Sequence, residues 1–296
     1  MFLVLAGSLV TSTGSGLSVP DWPTSYGWNM FTFPPSKWVG GIFYEHGHRL
    51  IASTVGFLTV VLAAWLWRSD PRRWMKRLGA TALVAVILQG LLGGLTVLFF
   101  LPASISTAHA GLAEIFFGLT VAMALFTSPG WIRSAGHVDD GWLRRVATAT
   151  TAVIYVQILL GATMRHSDAG LAIPDFPLMF GGLLPDHWDV KIAIHFAHRM
   201  GALVVTAFIL AASVHVWTRH RGNREVTTPA SALVVLVAMQ IALGASTILS
   251  RRNVWINSAH VVCGALVLAT SLVLTLRSWR LRFRAAPTAA GAEMAA

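Results

Sequence analysis

The sequence has 296 residues, of which 55% are hydrophobic and only 11% charged, and its mean hydropathy is +0.65. A soluble domain usually carries about 25% charged residues, so this composition excludes an ordinary water-soluble protein and indicates one built for lipid. The net charge of +10 would suit a nucleic-acid partner, but the placement of the basic residues argues for membrane topology and no nucleic acid.

Long segments that lack Asp, Glu, Lys and Arg predict transmembrane helices, because about 20 mostly apolar residues cross a bilayer as a helix. In chain order, a short apolar run at 1–10 is followed by predicted helices near 45–67, 77–101, 106–127, 144–165, 193–218, 229–250 and 254–277. Pro102 and the polar residues after it divide the apolar window 78–113 between two of these helices. The predicted fold class is therefore an all-α, polytopic membrane protein with eight transmembrane helices.

The first predicted helix is short. It has about ten apolar residues before Thr11, and a helix of about ten residues rises only about 15 Å, half the hydrocarbon thickness of a bilayer. We expect either that helix 1 is incomplete or that the chain starts late, at an internal methionine.

The basic residues alternate between connections. Fifteen of them lie on every second connection and on the C-terminal tail; they are Arg68, Arg72, Arg73, Lys76, Arg77, Arg133, Arg144, Arg145, Arg219, Arg221, Arg224, Arg277, Arg280, Arg282 and Arg284. The other connections hold only Lys37, Arg165, Lys191, Arg251 and Arg252. The positive-inside rule then predicts that both termini face the cytoplasm from the cell inner membrane.

The chain repeats itself at a nearly constant spacing. GLSVPDWP at 16–23 returns as GLAIPDFP at 170–177, and Glu45-x-x-His48-Arg49 returns as His195-x-x-His198-Arg199. Gln89, Gly93, Thr96 and His109 return as Gln240, Gly244, Thr247 and His260. Because four spans return the chain to its starting side, the repeat predicts two tandem, similarly oriented four-helix bundles, at 1–140 and 141–284, before a disordered tail at 285–296.

Four histidines share one predicted depth. His48, His109, His198 and His260 fall within the first two turns of predicted helices 2, 4, 6 and 8, all of which run inward from the outer face. A single such histidine could simply bond a neighbouring helix. Two pairs at matching depth instead indicate ligand sites near the outer surface, since four-helix bundles build cofactor sites from facing side chains.

The ligand types favour haem over other metals. Zinc requires three or four clustered ligands, and non-haem iron requires two histidines with a carboxylate, which the second repeat lacks because His195 replaces Glu45. Bis-histidine haem requires only two opposed imidazoles. Arg49 and Arg199, next to these ligands, are candidates for contacts with haem propionates, the alternative being that they extend to lipid headgroups.

The combination of ExxHR at Glu45–Arg49, TGSGLSVPDWP at 13–23, HxxHR at His195–Arg199 and the two later histidines resembles the haem A synthase family over nearly the whole chain. The resemblance implies that His198 and His260 hold a haem b cofactor and that His48 and His109 hold the substrate, haem O. It also implies an oxidoreductase that converts the C8 methyl group of haem O to a formyl group by successive hydroxylations, giving haem A.

The same resemblance implies partners and shows one departure. A haem O synthase, cytochrome oxidase assembly factors, membrane lipid and an electron donor of unknown identity are the expected partners. Many members carry a cysteine pair in the outer loops, but loops 14–44 and 166–192 of this chain contain none. A mechanism that needs this pair cannot operate here.

The two repeats differ in charge beside the first histidine. Glu45 lies one helical turn before His48, whereas its counterpart His195 carries no fixed negative charge. We predict that Glu45 is catalytic, moving a proton or stabilising positive charge on the oxidised carbon, and that the second bundle carries electrons. The alternative for Glu45 is an interfacial ion pair with Arg49.

Two other functions fit parts of the pattern. A di-haem b membrane protein linked to quinol could transfer electrons without modifying haem, but it would not need the difference between Glu45 and His195. A transporter with parallel repeats fits less well, because such proteins place their ionisable groups at the membrane midplane rather than near one face.

Overall fold

The structure is a computed structural model that describes residues 1–133 and 138–280. Within these ranges no strand is formed, and the helices are α1 Phe2–Ser12, α2 Gly41–Ser69, α3 Arg73–Leu98, α4 Ala103–Thr127, α5 Pro129–Ile132, α6 Gly141–His166, α7 Val190–Arg219, α8 Arg224–Leu249 and α9 Val254–Ser278. The predicted cytoplasmic positions of Arg282 and Arg284, and the predicted disorder of 285–296, lie outside the described residues.

Seven of these helices, α2–α4 and α6–α9, are long and apolar enough to cross a membrane. The chain is therefore a helical, multi-pass membrane protein, as its composition predicts. The remaining predicted span, the first in the chain, corresponds to α1, which has 11 residues. A helix of that length rises about 16 Å and is too short to span the hydrocarbon layer alone.

Most of the long helices begin three to five residues before their predicted starts. For α6, α7 and α8 the reason is polar capping, which a search for apolar segments cannot detect. The carboxylates of Asp140 and Asp189 accept the backbone N–H groups of Leu143 and Ile192 at 2.9 and 2.7 Å, and Asn223 caps α8 in the same way. Such caps satisfy N–H groups that have no partner within the helix.

The helices pack mainly against their neighbours in sequence. Connections of three or four residues at 70–72, 99–102, 220–223 and 250–253 join α2 to α3, α3 to α4, α7 to α8 and α8 to α9, which makes these pairs antiparallel hairpins. Helix α6 contacts both α7 and α9, so α6–α9 form a closed ring. Helices α1–α4 form a second group, joined to the first where α1 meets α9 and α4 meets α6 and α9.

Each group has its own apolar core. Leu143, Ile209, Leu233 and Leu274 are fully buried among α6–α9, and a second cluster around Met75 and Phe126 lies among α2, α3 and α4. These cores lie away from the long connections 13–40 and 167–189. We call the end of the molecule that carries those two connections the loop side.

Candidate functional site

The four predicted histidines form two pairs near the loop side. His48 of α2 interacts electrostatically with His109 of α4, and His198 of α7 does so with His260 of α9. The Nδ1 atoms of His48, His109 and His260 are buried and have no hydrogen-bond partner among the described residues. Buried polar atoms normally have a partner, so these nitrogens are candidates for contact with a bound molecule.

Each of the four imidazoles rests against a glycine of a neighbouring helix. A methyl group added at Gly7 would lie 3.0 Å from His48 Cε1, and one added at Gly93 would lie 3.1 Å from His109 Cε1. In the second half, a methyl group at Gly161 would lie 2.8 Å from His198 Cε1, and one at Gly244 would lie 3.1 Å from His260 Cε1. These distances are shorter than ordinary contacts, so only glycine allows each ring to approach the helix backbone this closely. We call these four residues the histidine-contact glycines.

Sequence reasoning noted Gly93 and Gly244 but missed Gly7 and Gly161. A signal was available, since Gly7 and Gly161 are 154 residues apart, as are the segments 16–23 and 170–177. The signal is weak because residues 6–13 and 160–167 share no other identical residue.

Three of the four histidines are also held by a glutamine. Gln89 Nε2 lies 3.3 Å from His109 Nε2, Gln157 Nε2 lies 3.1 Å from His198 Nδ1, and Gln240 Nε2 lies 3.4 Å from His260 Nε2. The residue 154 positions before Gln157 is Leu3, so His48 has no amide at the corresponding position. Partners of this kind fix the orientation of a ligating imidazole, and His48 is therefore the least restrained of the four.

The donor set of each pair fits the iron of a haem better than a zinc ion. Two imidazoles suffice as the axial ligands of haem iron, whereas zinc needs a third protein ligand. Among the described residues, a group of three potential metal ligands occurs instead at Asp140, His215 and His220, where α6 begins and α7 ends. There both histidines bond Asp140 Oδ2, at 2.7 and 2.9 Å.

Glu45 lies in a buried ion pair. Its Oε1 accepts a hydrogen bond from Arg49 Nη2 at 2.7 Å, and its Oε2 accepts the backbone N–H of Val19 at 2.8 Å. Arg49 also donates to the carbonyl groups of Val19, Asp21 and Thr24 at 2.7–2.9 Å. The ion pair that sequence reasoning left open is therefore present, and it fastens the connection 13–40 to α2.

The second half anchors its connection with a different side chain. Arg199 donates to the carbonyl groups of Ile173, Asp175 and Leu178. Its Nε and the backbone N–H of Ile173 point at the two ring nitrogens of His195, each at 3.2 Å. A neutral imidazole accepts only one hydrogen bond, so this position satisfies one donor, where the carboxylate of Glu45 satisfies two.

Because Arg49 and Arg199 each donate three N–H groups to carbonyl groups of the connections, their guanidinium groups are committed there. Their predicted contacts with haem propionates stay predictions.

Each connection also contains a turn built around an aspartate. Asp21 accepts the backbone N–H groups of Tyr26 and Gly27, and Asp175 accepts those of Phe180 and Gly181, at 2.7–2.8 Å. Gly27 and Gly181 have φ angles of +75° and +80°, a conformation that side chains disfavour. The two connections are thus ordered by matching contacts at matching positions.

The turn around Asp175 predicts an acid-sensitive connection. The hydrogen bonds from the N–H groups of Gly181 and Phe180 hold the pKa of Asp175 below its ordinary value. Its contribution to stability is therefore complete above the ordinary pKa of 3.8 and is lost as the pH falls through the lower folded value. We expect protection of the Phe180 and Gly181 amides, measured by hydrogen exchange and corrected for intrinsic rate, to fall only below about pH 4. In Asp175→Ala it should be low at every pH, and equal protection in both proteins would contradict this.

The histidine-contact glycines give a second prediction, with a control on the same helix. We expect Gly93→Ala to lower the free energy of unfolding in detergent by about 1–3 kcal/mol, because the new methyl group displaces His109. Gly90→Ala, one turn away with nothing within 4 Å of the added methyl, should instead stabilise the helix by about 0.5–1 kcal/mol. Similar effects for both variants would show that the contact with His109 is unimportant.

Two pairs of half-buried, glycine-contacting histidines in a helical membrane protein are the arrangement with which helix bundles can hold a cofactor between helices. Comparison with known proteins identifies the family. The model of the cytochrome oxidase assembly protein family (COX15-CtaA) matches residues 36–272. The chain belongs to this family.

Three proteins that are similar to this chain are named heme A synthase. The heme A synthase of Geobacillus kaustophilus is 29% identical to this chain, over 98% of this chain and 92% of that protein. The heme A synthase of Bacillus licheniformis is also 29% identical, over 88% of this chain and 86% of that protein. The heme A synthase of Alkalihalophilus pseudofirmus is 27% identical, over 93% and 92%. The family resemblance predicted from the motifs is confirmed.

Proposed function

We propose that this chain is a haem A synthase, an oxidoreductase that oxidises the C8 methyl group of haem O to a formyl group. The observation that carries this proposal is the presence of two separate histidine pairs, each with the same glycine contacts, in a chain similar to heme A synthases over nearly its whole length. Two pairs match a reaction that needs both a substrate haem and a resident haem.

The restraint on each pair supports assigning haem b to His198 and His260. Both residues are held by a glutamine, Gln157 or Gln240, and rigid ligands suit a resident haem that transfers electrons. The pair His48 and His109 is assigned to haem O. His48 has no glutamine partner, and a less restrained ligand suits a substrate that must leave as product.

Glu45 is assigned the catalytic role in the first pair. It lies one helical turn from His48 and keeps a negative charge inside the protein through its ion pair with Arg49. Oxidation of a methyl group to a formyl group releases protons, and a nearby carboxylate can accept one. The corresponding His195 carries no fixed negative charge, in keeping with electron transfer alone at the second pair.

The architecture we propose is two tandem four-helix bundles of like orientation, α1–α4 within 1–140 and α6–α9 within 141–284. It is supported by the closed ring of α6–α9 and by the matching contacts of Arg49 with Arg199 and of Asp21 with Asp175. Both termini face the cytoplasm, and the loop side with its histidine pairs faces outward across the inner membrane. A haem O synthase that delivers substrate and oxidase assembly factors that receive product are the proposed partners.

The haems bound to the purified protein distinguish the synthase from the alternative, a di-haem b electron-transfer protein. We expect acid–acetone extraction of protein purified from cells that also make haem O to yield haem b together with haem O, its hydroxylated form or haem A. Haem b alone, at two per chain, would favour the electron-transfer protein.

A further inference from the structure

Five basic residues lie on the connections predicted to face outward, and three of these five lie in neighbouring segments on the loop side. Arg165 lies in the last turn of α6, and Arg251 and Arg252 lie in the connection between α8 and α9. The side chain of Arg252 lies beside the connection that follows α6, since its Cδ would be 3.9 Å from a methyl group added at Gly170. The nearest acidic partner is Asp168, an exposed residue 3.7 Å from Arg252.

Arg165 itself has no carboxylate partner among the described residues. Its Nη2 donates to the carbonyl of Ser8 at 2.8 Å and to Ser12 Oγ at 2.7 Å. Its Nε and Nη1 carry three more N–H groups, for which the described residues provide no acceptor. A buried or partly buried cation is normally paired, so the three remaining N–H groups of Arg165 suit an anionic ligand.

The position of Arg165 places this anion-binding edge beside the second histidine pair. Arg165 lies one helical turn after Gly161, the residue that contacts His198. Ser12 Oγ, which accepts a hydrogen bond from Arg165, also accepts one from Asn257 Nδ2 at 3.1 Å, three residues before His260. The contacts with Ser8 and Ser12 place the guanidinium against α1, inside the molecule rather than toward lipid. In contrast with Arg49 and Arg199, Arg165 keeps a free edge for a ligand.

We propose that Arg165, with Arg252 beside it, binds a propionate carboxylate of the haem held by His198 and His260. A guanidinium edge presents two parallel N–H groups that match a carboxylate, and such charge-assisted pairs are among the strongest hydrogen bonds in proteins. This inference rests on the proposed function, because it requires haem b at that pair. It is a separate contact from the one predicted for Arg199.

The test is the reduction potential and retention of haem b in Arg165→Gln. Removing a positive charge beside the haem destabilises the reduced, less positive state, so the midpoint potential should become more negative. Loss of a charge-assisted hydrogen bond should also make haem b dissociate about tenfold faster or more. Arg165→Lys keeps the charge, so its potential should stay near that of the wild type while its haem is retained less well.

Two controls separate a direct contact from a structural effect. Ser12→Ala removes the hydroxyl that contacts Arg165, Asn257 and Ser258. It keeps the charge of Arg165, so it should leave the potential unchanged. Arg251→Gln removes a charge from an exposed residue next to Arg252 and should have little effect on either measurement.

The outcomes are distinguishable. If Arg165→Gln binds haem b with the same potential and retention as the wild type, this inference alone is overturned. If that variant has also lost a bound anionic phospholipid, detected by mass spectrometry, the anion at Arg165 is a lipid phosphate and the inference is wrong. A wild-type protein without haem b would overturn the proposed function and this inference with it.

Discussion

Glu45→Gln is expected to reduce haem A formation by roughly a hundredfold or more, the usual contribution of a positioned acid or base. The variant keeps an oxygen that can accept the N–H of Val19 or Arg49 but loses the negative charge. The amounts of haem b and haem O bound should therefore change little. Haem A is measured by extraction after growth with a haem O synthase.

A loop variant shows whether the charge or the anchoring of the connection matters. Asp21→Asn weakens the turn at Tyr26 and Gly27 but leaves Glu45 in place, and it should keep most of the activity. Hydrogen exchange of residues 17–27 reports loop order in both variants. Normal haem A formation by Glu45→Gln would refute the catalytic role, and so would a loss of activity that follows loop order in both variants.

His198→Ala and His260→Ala are each expected to remove haem b entirely while leaving the first pair able to bind haem O. The proposed site needs an imidazole from each of the two helices, and one imidazole alone cannot take both positions. We expect haem A formation to stop in both variants. Pyridine haemochrome spectra of the purified proteins measure the loss of haem b.

His215→Ala is the matched control for His198→Ala, since both residues lie on α7. His215 bonds Asp140 at the other end of the helix, so its removal should leave haem b in place. Retention of haem b by His198→Ala, or its equal loss from His215→Ala, would contradict the assignment of the axial ligands.

The helices and histidine pairs were predictable because their signals are local and repeated. Hydropathy marks each span, and the recurrence of His48 and His109 as His198 and His260 marks the site. The ends of the helices were less predictable, since capping by Asp140 and Asp189 occurs among polar residues that hydropathy assigns to connections. The short apolar run at 1–10 likewise gives only the 11-residue α1, which is too short to cross the bilayer alone.

The roles of the arginines could not be predicted from the motif. Arg49 and Arg199 follow the histidines directly, which suggested contact with the ligand. In the folded chain each bonds carbonyl groups more than 20 residues earlier in the sequence, as Arg49 does with Val19. Such contacts depend on how the connections fold back over the helices. Arg165 belongs to no motif in the sequence, but its contacts in the folded chain led us to propose a ligand for it.

The most direct test of the central claim is whether this chain makes haem A. It should be expressed with a haem O synthase in cells that lack a haem A synthase, and total membrane haems should be separated by chromatography. We expect haem A to appear with the chain and to be absent without it. Membranes that contain only haem b and haem O, while the chain is folded and loaded with haem, would contradict this account.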